Sequence, residues 1–100
     1  MQIIAERINM TRKRIREEVW KRNAEYVTRQ AREQEQAGAT HIDINAGADP
    51  AREIEDMRWL TEIVRDATAL PLSFDTAHTA ALEVGLKICN RPGTIINSTT

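Results

Sequence analysis

The chain is poor in cysteine, proline, glycine and aromatic residues: one, three, four and four respectively in 100 positions. Cys89 stands alone, so no internal disulfide can form and no second thiol lies at metal-ligand spacing. His41 and His78 have no cysteine or histidine partner at zinc-like spacing either, and no metal is expected. So few glycines and prolines exclude collagen-like and low-complexity chains. With 4% aromatics, the base-stacking platform of a single-strand binder is missing. A formal net charge of −1 removes the electrostatic footprint of nucleic-acid binding. No apolar run approaches the roughly 20 residues of a membrane span. The start, with Glu6-Arg7 in its first run, does not read as a signal peptide, and the cytoplasm is the expected compartment.

What is present is a globular composition, 41% hydrophobic and 29% charged, organised around four short apolar runs that end on carboxylates or amides. They are Ile3-Ile4-Ala5-Glu6-Arg7-Ile8-Asn9, His41-Ile42-Asp43-Ile44-Asn45, Leu72-Ser73-Phe74-Asp75 and Thr94-Ile95-Ile96-Asn97. Between the first two, Ile15, Val19, Tyr26, Val27 and Ala31 recur at roughly helical spacing through one charged segment from Arg12 to Gln36 that stops at Gly38. Asp49-Pro50 reads as an N-cap followed by proline at the first helical position, and Ile54, Met57, Thr61 and Val64 continue that helix along a stripe beside Leu60. From His78 to Cys89, Leu82, Gly85, Leu86 and Cys89 form a third helical stripe. The string is β-α-β-α-β-α-β, and helical crossovers require a parallel sheet with right-handed connections. The Ile-rich fourth run reads as a strand covered on both faces. A closed eight-stranded barrel takes about 250 residues. The expectation is therefore an incomplete chain, or half of an assembly built from two chains.

In parallel α/β architectures the C-terminal strand ends open onto the face where ligands bind. That rule brings Glu6, Asn9, Asp43, Asn45, Asp75 and Asn97 to one polar edge, with His78 three residues beyond Asp75. Carboxylates accept from paired N–H and amine donors, and amides both donate and accept, which suits a fused heterocycle. A capping reading stands beside this one: Asp75-Thr76 fits a helix start, and Asn97-Ser98-Thr99 fits turn chemistry. A dinucleotide site lacks its signature, because Glu6 to Thr11 contains no glycine. Arg12-Lys13-Arg14, with Arg16 close by, gathers cations at a helix start, where they oppose the macrodipole. They suit an anionic substrate tail or a docking partner, or a solvated face balanced by Glu17 and Glu18. Trp20 and Trp59 read as packing residues, and no nucleophile-bearing turn motif occurs.

Taken in order, the four strand motifs, with Glu55-Asp56-Met57-Arg58-Trp59-Leu60 and Ala81-Leu82-Glu83-Val84-Gly85-Leu86-Lys87, resemble the pterin-binding, dihydropteroate-synthase-like barrel family along the whole chain. Within it, the chain is similar to methyltetrahydrofolate:corrinoid protein methyltransferases and to the folate domain of cobalamin-dependent methionine synthase. The first loop, Asn9-Met10-Thr11-Arg12-Lys13-Arg14, departs from the Pro-, Asp-, Ser- and Gly-rich loop of the synthases and favours methyl transfer. Ala5 stands where the methyltransferases carry glycine, adding a methyl at the barrel floor. The resemblance implies that residues 1–100 are the N-terminal half of a (β/α)8 TIM barrel, a partial pterin-binding domain. It implies that Asp75 and Asn97 hold the pterin, that Asp43 and Asn45 reach the same pocket, and that Glu6, Asn9 and Ser98 support it. Methyltetrahydrofolate would be the substrate, with cobalamin on a partner protein or domain, and the complete barrel would be a homo-oligomer. Further catalytic groups belong to later strands, so this chain by itself is expected to be inactive. Two alternatives follow: a non-catalytic half-barrel pterin module assembling with another chain, or an inactive truncated product.

Overall fold

Ile42, Ile44, Leu72 and Phe74 have no solvent exposure, while the residues between them are Asp43 and Ser73. Side chains alternate across a strand, so one face of this sheet is hydrocarbon and the other polar. The computed structural model describes residues 1–97. The elements are β1 (Ile4–Asn9), α1 (Lys13–Trp20), α2 (Ala24–Gln36), β2 (His41–Asn45), α3 (Glu53–Ala67), β3 (Leu72–Asp75), α4 (Thr79–Ile88) and β4 (Ile95–Asn97). All neighbouring strands are parallel, in the order β1-β2-β3-β4, the arrangement of part of an α/β barrel. Helices pack on the apolar face, where Val27 and Ala31 of α2, Met57, Leu60 and Val64 of α3, and Ala81 of α4 join the strand residues in one core.

The helical pattern holds with three corrections. The segment from Arg12 to Gln36 is two helices, broken at residues 21–23, because Asn23 caps α2 by accepting from the Tyr26 N–H at 3.2 Å. Arg22 turns the chain there with φ +57°, in the left-handed region that non-glycine residues rarely adopt. Gly38 follows the last turn of α2 at φ +99°, as the sequence suggests. The third helix begins at Glu53 rather than at Pro50. Asp49 spends its side chain on the Ala51 N–H (3.0 Å) and its carbonyl on the Arg52 N–H (2.9 Å), closing a separate turn before α3. In α4, Ala81 and Gly85 are the buried positions, with Leu82 and Leu86 only partly covered. Gly85 lies so close to Phe74 that a Cβ there would sit 2.6 Å from Phe74 Cε1, which accounts for the glycine.

The edge strand β1 departs from a regular ladder. In β1 the register runs from Ala5↔Ile42 to Ile8↔Ile44, three residues against two, so a bulge falls at Glu6-Arg7. The Arg7 N–H leaves the ladder and donates to Oε1 of the buried Gln34 at 3.1 Å. Ala5, level with Ile42, packs on the helix-side core rather than at a barrel floor. In β4, Ile96 is level with Phe74 and is 52% exposed. His41, at the start of β2, binds the Gly93 carbonyl through Nε2 at 2.9 Å, tying the turn before β4 to the end of the sheet away from the strand termini.

Candidate functional site

Asn9, Asn45, Asp75 and Asn97 are the last residues of the four strands. Asn9 is level with Asn45, and Asp75 with Asn97. One step down the same face, Asp43 is level with Ser73. The polar face therefore carries two tiers, an amide and carboxylate row at the strand ends and an acid–hydroxyl pair beneath it. This follows from the period of two: once Ile42, Ile44, Leu72 and Phe74 face the helices, the residues between them must face the other way.

The members of this constellation are not equally free. Asn9 Oδ1 accepts from the Thr11 N–H at 2.9 Å and the Thr11 hydroxyl at 2.7 Å, so its oxygen holds the turn into α1. Asn45 Oδ1 likewise accepts from the Gly47 N–H at 3.0 Å. Glu6 lies at the bulge and is exposed. Ser98 lies outside the described residues. Asp43 is 5% exposed. Burial pushes its carboxyl up from 3.8 to about 6, the Ser73 hydroxyl opposes that shift, and the charges of Asp75 and Glu6 add to it. A carboxyl poised there can hold or release a proton near neutral pH.

A cleft of about 490 Å³ opens beside the upper tier, lined by Asn45, Gly47, Glu53 and residues 75–78. Glu53 and Thr76 are the contributors that the sequence reading missed. Glu53 is 8% exposed, and the Thr76 hydroxyl donates to its Oε2. Thr76 Oγ1 in turn accepts from the His78 N–H at 3.0 Å, and His78 Nδ1 accepts from the Ala81 N–H at 3.4 Å to cap α4. The loop after β3 is thereby tied to the first turn of α3. A signal was available: Glu53 stands one turn before Met57 in the phase of the buried stripe Met57, Thr61 and Val64, where an acid is out of place unless it has a task. His78 lines the cleft, and its ring serves as the helix cap.

Among the described residues, the Asp43 and Asp75 carboxylates make no salt bridge. No group of three or more His, Cys, Asp or Glu side chains there is placed to hold a metal ion, and no helix is long and apolar enough to cross a membrane. The arrangement can accept hydrogen bonds from a flat, donor-rich ring at the strand ends.

Comparison with known proteins bears on that chemistry. The profile of the family described as "Pterin binding enzyme" matches residues 5–100. The methylcorrinoid:tetrahydrofolate methyltransferase of Eubacterium limosum is 32% identical over 98 residues, which is 98% of this chain and 36% of that protein. The chain thus spans about a third of the length of this relative.

Proposed function

The chain belongs to the pterin binding enzyme family, and from that premise we propose that residues 1–100 form part of the barrel domain of a cytoplasmic methyltransferase working between a tetrahydrofolate and a corrinoid protein. The observation that carries this reading is the strand-end tier: Asp75, free of salt bridges among the described residues, level with Asn97 and lining the cleft. In the proposed complex, Asp75 accepts from an N–H and amine pair on the pterin ring, and Asn97 donates to and accepts from the same ring. Asn45 borders the pocket, and Asp43 beneath it supplies a carboxyl whose proton is exchangeable near neutral pH. Holding the folate in one orientation before an approaching partner removes much of the entropic barrier to transfer. A reduced corrinoid on the partner would supply the nucleophile, the pterin nitrogen keeping the electron pair of the broken N–CH3 bond and taking up a proton; the relative's name describes the same exchange in the opposite direction.

Calorimetric titration with methyltetrahydrofolate tests the assignment. Asp75→Ala is expected to weaken binding about thirtyfold, the scale of a lost hydrogen bond to a charged group, and Asn97→Ala about fivefold. Unchanged affinity in both variants, or no binding to the unaltered chain, would overturn the reading.

A further inference from the structure

Asp75 and Asn97 carry the pterin reading, and Thr76 is joined to both. Asp75 makes no salt bridge among the described residues, and the side-chain hydrogen bonds of its loop are made by Thr76 and His78. Its placement therefore falls to the backbone on either side. Before it, Ser73 and Phe74 are fixed in the ladder with β4. After it, the Thr76 N–H donates to the Asn97 carbonyl at 3.2 Å and carries the β3–β4 pairing one step past the strand ends. Thr76 is thus covalently attached to one contact residue and hydrogen-bonded to the other. Whatever holds Thr76 sets the spacing of the pair.

That hold comes from another element. The buried Thr76 hydroxyl donates to Oε2 of Glu53, the first residue of α3, while Thr76 Oγ1 accepts from the His78 N–H at 3.0 Å. Glu53 is buried too, and among the described residues no cation lies within salt-bridge distance of it. Its place at the start of a helix makes the charge tolerable, because the free N–H groups and the dipole there favour an anion. A Cβ at Gly47 would lie 3.8 Å from Glu53 Oε1, so the second oxygen lies against the turn after β2. One carboxylate therefore stands between the loops that follow β2 and β3. An apolar residue at 53 would continue the buried stripe of α3, but it would leave the Thr76 hydroxyl buried without a partner.

We propose that Glu53 is a positioning residue for the pterin contacts: through the Thr76 hydroxyl it holds Asp75 and Asn97 at the spacing the ring requires. The inference rests on the pterin reading of the strand ends. Groups that bind a rigid ring must be held to within about 0.5 Å, which is the work of hydrogen bonds behind them.

Calorimetric titration of the chain with methyltetrahydrofolate, arranged as a double-mutant cycle, tests this. Glu53→Ala should weaken binding about tenfold, and Thr76→Val, which deletes the hydroxyl and keeps the shape, should do the same. Glu53→Gln retains the acceptor and Thr76→Ser retains the hydroxyl, so each should bring affinity back to within about twofold of the unaltered chain. In an Asp75→Ala background, Glu53→Ala should cost only about twofold, because the main group it positions is gone. The full tenfold loss in that background would overturn the proposal, since Glu53 would then touch the ligand itself or merely stabilise the fold. Unchanged affinity in Glu53→Ala and Thr76→Val, or no rescue by Glu53→Gln, would also overturn it; with Asp75→Ala still weakening binding, the pterin reading would stand. Absence of binding to the unaltered chain would overturn both readings. If Glu53→Ala does not fold, the same cycle run with Thr76→Val, and its comparison with Thr76→Ser, decides the matter.

Discussion

Asp43 and Asp56 are both buried, 5% and 0% exposed, and their surroundings are opposite. Asp56, in the first turn of α3, has the Trp20 indole N–H on one oxygen at 3.0 Å and the Arg22 guanidinium beside the other at 3.1 Å. The Arg22 contact lacks the alignment of a hydrogen bond and is held by charge. Arg22 also stacks over Trp59 at 5.3 Å, so the break between α1 and α2 is clamped to α3. Among the described residues Asp43 has no cation in salt-bridge range; its neighbours are a hydroxyl and two further acids. A buried acid matched by an opposite charge braces the fold, whereas one beside a hydroxyl and other acids holds its proton more tightly. The helix side and the polar side of one sheet thus hold the same residue in different electrostatic surroundings.

The largest effect is expected on the bracing side. Asp56→Ala leaves the Trp20 donor and the Arg22 charge unanswered and should cost about 4 kcal/mol of stability in urea unfolding. A loss below about 1 kcal/mol would mean that the clamp is incidental. Next comes Asp43, where pH supplies the sign. Its carboxyl titrates near 3.8 when unfolded and about 6 when folded, so the native state holds the proton more tightly between those values. The stability carried by the protonated form is complete below the lower value and lost as pH rises through about 6. Asp43→Asn, which cannot ionise, should therefore exceed the unaltered chain by about 2 kcal/mol near neutral pH and match it at low pH. Parallel pH profiles for the two would show that Asp43 is as well matched as Asp56. The smallest change is Glu53→Ala, expected to cost about 1 kcal/mol through loss of the Thr76 tie. Glu53→Gln keeps an acceptor for that hydroxyl and should restore most of the loss in thermal unfolding.

Several of these distinctions could be read before any coordinates. Alternation in His41-Ile42-Asp43-Ile44-Asn45 and Leu72-Ser73-Phe74-Asp75 specifies both strands and assigns each residue a face, because the pleat has a period of two. The polar ends of all four strands were visible for the same reason. The break at residues 21–23 was harder to see, because helical periodicity continues in register across it while Asn23 offers its cap only as a local competitor. Glu53 and Asp56 were hidden within a helix rich in charge, since spacing alone does not say which acid turns inward.

The sequence by itself determined the alternation of strands with helical segments, the parallel sheet and the set of polar groups at its C-terminal edge, all consequences of local periodicity and chain connectivity. Only the tertiary structure decided how those groups divide their work. Asn9 and Asn45 spend their oxygens on turns, Thr76 finds Glu53 from another loop, and Arg22 rather than a sequence neighbour answers Asp56. Burial and pairing set the state of a carboxylate, and both depend on residues brought together from distant parts of the chain.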